Sequence, residues 1–357
     1  MLNEEKVRML AHAERISELR PIPDADRIEV ARVLGWDVVV KKGEFKVGDL
    51  CAYFEIDSIL PFAPWSEFLR NKDKPDKPIR LRTVKLRGQI SQGLAVPLRE
   101  VLAAAANDDY NPDEFDGMDL TETLGVTKYE PPIPACLAGK VFGQRPWFVP
   151  KTDEERLQNI PEIIKEVAGV RLYTSVKLNG TSGSYFFYDI PQRVPKPPFG
   201  VCSRELELVE DEKNTYWRMA VKYNLREKLQ QAGAFAVQGE ICGPGIQKNM
   251  LGLKDHELFI FNVYNIAESR YLNYDEFIAF CKQYELQTVP IENDNILFTG
   301  EETVDELLAL ADGFYPNGHL REGLVWRPLE EMTSPTLDNG RLSFKTVSNK
   351  YLLEGGN

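Results

Sequence analysis

Five short polar clusters, each on or beside a strand-like run, punctuate the chain in order: Lys177-Leu178-Asn179-Gly180, Ser203-Arg204, Gly239-Glu240, Glu322-Gly323 and Phe344-Lys345. The first closes the β-rich run 171–176. The others fall on or next to runs at 200–203, 235–241, 323–326 and 342–346. Helical stretches are expected between them, at 214–231, 275–284 and 304–311. Strands interrupted by helices in this way predict an α+β domain of antiparallel sheets with flanking helices. A further helix is expected ahead of the first cluster. Thr152-Asp153-Glu154-Glu155 has capping-box spacing, and Leu157, Ile160, Ile163, Ile164 and Val167 follow, with Pro161 splitting the helix in two.

Residues 1–106 read differently. Short β-rich runs at 28–34, 36–40, 50–56, 81–86 and 93–97 are separated by glycine turns, which predicts a closed barrel of the OB type. Residues 107–127 carry seven acidic residues and no basic one, with Pro131, Pro132 and Pro134 close behind. The expected organisation is therefore an OB-like nucleic-acid-binding domain over 1–106, a linker over 107–134 and a second domain over 135–357.

The net charge of −12 argues against a nucleic-acid partner only on average. Between positions 70 and 99 nine basic residues face two acidic ones, and polyanion binding depends on where Lys and Arg cluster. Read alone, that stretch is as well explained by a solvated loop. No apolar run approaches the roughly 20 residues of a membrane helix, so no membrane partner is expected, and the start does not look like a secretory signal. The five cysteines include no C-x-x-C pair, which predicts reduced thiols and a cytoplasmic setting.

The chemistry of the clusters is specific when they are taken together. A lysine becomes a nucleophile when a nearby cation lowers its pKa, and Lys345 is the expected neighbour of Lys177. Glu240 and Glu322 are hard oxygen donors suited to Mg²⁺. Arg204 offers a fork to phosphate or ribose, and Phe261, in an alternating strand, offers a face to a base. Gly180 and Gly239 are expected to let a nucleotide approach the backbone. Taken one at a time, each has a plainer explanation: a core Phe, a surface Lys, a Glu-Gly turn.

With Leu258-Phe259-Ile260-Phe261-Asn262 and Glu322-Gly323-Leu324-Val325 added, the set resembles motifs I, Ia, III, IIIa, IV and V of the covalent nucleotidyltransferases, over roughly residues 151–357. That superfamily includes polynucleotide ligases and mRNA capping enzymes, with an ATP-grasp-like ligase fold. Only twelve residues follow Lys345, and an OB module precedes the catalytic part. This layout resembles ATP-dependent RNA ligases that seal 3′-OH/5′-phosphate nicks in duplexes during RNA repair. A DNA ligase, a capping-type guanylyltransferase and an inactive nucleic-acid-binding relative are the alternatives.

The resemblance implies that Lys177 attacks ATP to form lysyl-AMP, with Mg²⁺ or Mn²⁺. Glu240, Glu322 and Asn179 would lie toward the metal, Lys345 on the transferring phosphate, and Asn179, Gly180 and Arg204 around the ribose and phosphates. It further implies Phe261 on the adenine, Arg156, Gln158 and Lys350 as additional nucleotide contacts, and a monomer acting on nicked duplex RNA. Two departures stand out. The family often has Asp where Asn179 stands, and many relatives carry Glu just before the lysine, where this chain has Ser175 and Val176.

Overall fold

The computed structural model describes residues 8–102, 111–130, 133–193, 195–337 and 339–354. The chain divides into two compact units, Met1–Pro131 with Leu157–Ile163 and Leu352–Asn357, and Pro132–Arg156 with Ile164–Tyr351.

The first unit contains β1 (Ala11–Pro21), β2 (Ile28–Val33), β3 (Trp36–Lys41), β4 (Leu50–Phe54), β5 (Ser58–Leu60), β6 (Ile79–Arg80), β7 (Val84–Leu86), β8 (Gln89–Ser91), β9 (Leu94–Pro97), the short helix α1 (Leu98–Leu102) and β10 (Thr127–Lys128). β1 serves two neighbours. Its first half pairs with β4, Ala11 opposite Phe54, and its second half with β2, Pro21 opposite Glu29. A register shift between Ile16 and Glu18 bends the strand between the two tasks. The resulting order β3-β2-β1-β4-β9 closes over Ala11, Ala13, Ala52, Phe54, Val96 and Leu98. Small residues on β1 leave room for Phe54.

The expected linker is partly structure of this unit. The Ala13 amide donates to the Met118 carbonyl (3.0 Å) and the Leu120 amide to the Ala11 carbonyl (2.8 Å), while Leu120 and Val126 enter the core. The apolar residues scattered among the acids decide this, because their burial outweighs the preference of a charged segment for water. Asp113, Asp116 and Glu122 stay exposed. Residues 107–110, 131 and 132 of that expectation lie outside the described residues.

A charged cluster holds residues 157–163 in the same unit. Glu55 is fully buried and accepts from Arg8 Nε (2.7 Å) and Asn159 Nδ2 (2.9 Å). Asn159 Oδ1 accepts in turn from Trp36 Nε1 (2.6 Å). Burial pushes the Glu55 carboxyl up, but Arg8 and His12 outweigh it and hold the group well below its ordinary 4.5. Burial pushes His12 down, and Glu14 and Glu55 bring it above 6.5. The lowered carboxyl contributes stability above about pH 4.5 that is lost in acid. The raised imidazole contributes fully below about 6.5 and less above its folded value. Glu55→Ala should therefore cost about 3–5 kcal/mol near pH 6, by removing the buried carboxylate that Arg8 and Asn159 donate to. Thermal melts across pH check this, and an unchanged midpoint would mean the cluster is neutral.

The second unit contains β11 (Val141–Gln144), β12 (Glu155–Arg156), α2 (Ile163–Glu166), β13 (Arg171–Lys177), β14 (Thr181–Phe187), β15 (Phe199–Cys202), β16 (Leu206–Leu208), α3 (Thr215–Lys222), α4 (Leu225–Ala232), β17 (Phe235–Cys242), β18 (Glu257–Asn265), β19 (Arg270–Tyr271), α5 (Tyr274–Gln283), β20 (Ile291–Leu297), α6 (Val304–Ala311), β21 (Gly323–Pro328), β22 (Phe344–Val347) and α7 (Asn349–Leu353). Two sheets result, β11-β16-β15-β14-β17-β18-β19 and β12-β22-β21-β13-β20. Pairing is antiparallel except between β12 and β22. Helices α3, α4 and α5 cover the first sheet through Trp217, Leu225, Leu229 and Phe277.

Two expected helices differ. The helix over 152–167 is reduced to α2. Asp153 and Glu154 spend their carboxylates on Arg204 (2.8 Å) and Arg327 (2.6 Å) rather than on a helix start, and β12 pairs along β22 instead. The helix over 214–231 breaks into α3 and α4 at Asn224, whose φ of 52° is left-handed.

Candidate active site

β13 is buried at five consecutive positions, Leu172 to Val176, because β21 and β20 flank it and both its faces are covered. Its run of Leu, Tyr, Thr, Ser and Val suits that place. The β13–β21 ladder ends at the pair Lys177–Gly323, which sets the lysine beside Glu322. The turn 178–180 then carries the chain into β14 of the other sheet, where Ser182 lies opposite Glu240. On the far side of β21, Val325 pairs with Lys345, which itself lies opposite Arg156. Val176 and Leu178 share a core with Cys242 and Phe259, so the two sheets meet where the polar clusters end.

A cavity of about 240 Å³ opens there, lined by Lys177, Gly180, Arg204, Glu240, Phe261 and Lys345 together with Asp153, Glu154 and Arg327. Lys177 Nζ stands 2.6 Å from Glu322 Oε1. Burial pulls the Lys177 pKa down, but Glu322 and Glu240 overcome it, and the net shift is upward. The lysine that is depressed is Lys345, brought to about 8 by burial and by the positive charges of Lys177 and Arg156. The expectation that Lys345 leaves Lys177 as the low-pKa amine is thus corrected: the carboxylates of Glu322, at 2.6 Å, and Glu240 favour the charged lysine. Glu240 is raised to about 8, mainly by burial, with Glu322 and Glu154 adding repulsion that Lys177 only partly offsets.

Asn179 is buried. Its backbone N–H donates to Tyr315 Oη (3.2 Å) and its Nδ2 to Tyr351 Oη (2.8 Å). Its Oδ1 has no hydrogen-bond partner among the described residues. Arg204 is half-exposed and ion-paired with Asp153. Phe261 is half-buried, and its ring centroid lies 5.9 Å from the Arg327 guanidinium carbon. Lys350 pairs with Asp312 (2.9 Å) and is largely exposed. Gln158 belongs to the first unit, where its carbonyl accepts from the Gly35 amide (2.8 Å) and its side chain is buried. The motif glycines are required by packing within the protein, and Gly180 also lines the cavity. A Cβ on Gly180 would meet the Ile241 carbonyl at 2.4 Å, and one on Gly239 would meet Leu258 and the Phe259 carbonyl at 2.8 Å.

Sequence reading missed Glu154, Arg327, Tyr315 and Tyr351. Arg327 left a trace, a charged residue inside the wholly buried strand β21. The tyrosines, far from the lysine in sequence, left none.

The donor set suits a divalent ion. Two carboxyls, Glu240 and Glu322, act on one lysine, and the repulsion between them is relieved by added positive charge; the unpartnered Asn179 oxygen belongs to the turn that follows that lysine. Among the described residues no three His, Cys, Asp or Glu side chains form a complete metal cage. The remaining ligands would come from phosphate and water, as Mg²⁺ prefers.

An OB-fold domain model matches residues 10–98 and an RNA ligase model matches residues 171–347. Comparison with curated protein sequences finds no match. A variant of Naegleria gruberi RNA ligase solved with ATP and Mn is 37% identical, with a TM-score of 0.82 over 96% of this chain and 98% of that one. A variant with AMP and Mn is 37% identical with a TM-score of 0.82, over 97% of this chain and 98% of the other. The ligase with PPi is 37% identical with a TM-score of 0.81 over the same shares. This chain belongs to the RNA ligase family of covalent nucleotidyltransferases.

Proposed function

We infer that this RNA ligase charges Lys177 with AMP from ATP and uses it to seal 3′-OH/5′-phosphate nicks in duplex RNA, a reaction suited to RNA repair. The observation that carries the first half is the Lys177–Glu322 pair at 2.6 Å, with Lys177 lining a cavity that Glu240, Lys345, Arg204 and Phe261 also line. ATP, AMP and pyrophosphate, ligands of the Naegleria structures, are the nucleotide reactant and the two released products of the whole reaction.

In step one the Lys177 Nζ lone pair forms a bond to the α-phosphorus, the bond to the β-phosphate oxygen breaks, and pyrophosphate leaves. Lys177, an ammonium beside Glu322 in the resting protein, gives up one proton to solvent before it attacks and a second as the phosphoramidate forms. Lys345 lies within the same cavity, suited to the negative charge on the transferring phosphate. Arg204 and the Asn179 oxygen can serve phosphate and ribose, and Phe261 the base face. A divalent cation taken up by Glu240 and Glu322 would add charge at the phosphates and draw Glu322 away from Lys177. In step two an RNA 5′-phosphate oxygen displaces Lys177 from AMP. In step three the 3′-OH oxygen attacks the activated phosphate and AMP leaves. All three are phosphoryl transfers, in which positioning and charge neutralisation carry most of the catalysis.

The basic stretch supports a polynucleotide partner. Lys72, Lys74, Lys77, Arg82, Lys85 and Arg87 are exposed and have no acidic partner among the described residues. A cavity of about 260 Å³ lies beside Lys77, Arg80 and Arg82. Unpaired cations on a chain of net charge −12 favour backbone and 2′-OH recognition over base readout. The free cysteines support action in a reducing, cytoplasmic compartment. Among the described residues no helix is long and apolar enough to cross a membrane.

The deciding experiment incubates the protein with α-labelled ATP or GTP and Mg²⁺, maps the adduct by mass, and then offers nicked duplex RNA or free single strands. Label on Lys177 from ATP and faster sealing of the nick are expected. No adduct on protein freed of bound AMP would overturn self-adenylylation, and faster joining of single strands would overturn nick sealing.

A further inference from the structure

We propose that Tyr315 is a positioning residue for the first chemical step, its hydroxyl tying the nucleophile turn to the Glu322 strand end and thereby fixing where Lys177 stands. The proposal rests on the self-adenylylating reading above. One oxygen makes three bonds to the backbone of both motifs. It donates to the Lys177 carbonyl (2.9 Å) and accepts from the amides of Asn179 (3.2 Å) and Glu322 (3.3 Å). These groups lie at the place where the β13–β21 ladder stops, Lys177 opposite Gly323 being its last pair. Past that point the two chains part, and buried amides and carbonyls need other partners. The phenol supplies them.

The tyrosine is itself held. It is 4% exposed and packs with Val176, Leu178 and Phe259. Its amide donates to the His319 carbonyl (2.8 Å), and its carbonyl accepts from Gly318 (2.9 Å). Arg321 Nε donates to the Ala311 carbonyl (3.1 Å) and Nη2 to those of Leu310 (2.8 Å) and Asp312 (3.2 Å), anchoring the loop to the end of α6. Burial pushes the phenol far above its ordinary pKa, so it stays neutral and keeps both its donor and its acceptor function. Tyr351 holds the Asn179 side chain from another direction (2.8 Å). A nucleophile set by two fixed hydroxyls meets the α-phosphate without searching, and positioning of this kind is where phosphoryl-transfer enzymes gain rate.

The test compares wild type with Tyr315→Phe, which keeps the ring and removes only the hydroxyl. Two reactions are followed in the same preparation: single-turnover lysyl-AMP formation over a range of ATP concentrations, and sealing of RNA that already carries a 5′-adenylate. The second reaction needs no lysine nucleophile, and it reports how much of the variant is folded and active. Adenylylation at saturating ATP is expected to fall roughly 10- to 100-fold, the scale of one or two lost buried hydrogen bonds. The half-saturating ATP concentration should move by less than about threefold, and sealing should fall about tenfold less than adenylylation. Equal losses in both reactions would make Tyr315 a plain stability residue and overturn the proposal. Wild-type adenylylation in the variant would overturn it as well. A wild type that forms no adduct would instead overturn the ligase reading on which the proposal rests.

Discussion

Lys177→Ala is expected to carry no nucleotide after incubation with ATP, yet to join RNA already bearing a 5′-adenylate within about tenfold of the wild-type rate. The first result follows from covalent chemistry, since no other amine in the cavity ends a strand beside Glu322. The second follows from the division into steps, because once the phosphate is activated the attacking group is the RNA 3′-OH. A third consequence is electrostatic. Lys177 is the cation beside Glu322, and its charge also lowers the Glu240 pKa. Without it two carboxyls face each other and a divalent ion no longer competes with an ammonium. The melting midpoint of Lys177→Ala should therefore rise more with added Mn²⁺ than that of the wild type. Residual adduct would point to another nucleophile, and an equal Mn²⁺ effect would remove Glu240 and Glu322 from the metal.

The sequence disclosed this site because its chemistry is concentrated at strand ends. Lys177, Glu240, Glu322 and Lys345 sit within residues of the buried runs that position them, so local pattern and function coincide. What stayed hidden depends on contacts across long stretches of chain. Tyr315 reaches Lys177 over 138 positions and Glu154 reaches Arg327 over 173, and nothing near either residue announces the partner. The failed helix over 152–167 has the same origin. Its capping signal is a local preference worth about 1 kcal/mol, and the partly buried Glu154–Arg327 pair, together with the β12–β22 pairing, overrides it. The barrel was legible from its glycine-bounded strands. The folding of the acidic stretch onto β1 was not, because charge dominates its composition while Leu120 and Val126 dominate its packing. The direction of the Lys177 shift was hidden for a similar reason: motif content says which charges are present, and only geometry says that Glu322 stands 2.6 Å from Lys177.

Lys345→Met should reduce lysyl-AMP formation at least about 10³-fold while raising the melting temperature of the ligand-free protein. The two effects share one cause. Lys345 is held beside Lys177 and Arg156 in a partly buried place, and its pKa falls from 10.5 to about 8. A lysine whose folded value is depressed binds its proton more weakly in the folded state than in the unfolded chain. The folded state is therefore penalised as pH drops from about 10.5 to about 8, and below 8 the penalty is constant. Methionine has similar length and no charge, so it removes the penalty. The gain in melting temperature should be full at pH 7 and shrink toward pH 10. The charge that destabilises the resting enzyme is the one a phosphate would neutralise, which is why ATP should stabilise the wild type more than the variant. Melts at pH 7 and pH 10, with and without ATP, separate the two contributions. A lower melting temperature for Lys345→Met at pH 7 would show that its contacts outweigh its charge. Adenylylation within tenfold of wild type would take Lys345 off the transferring phosphate.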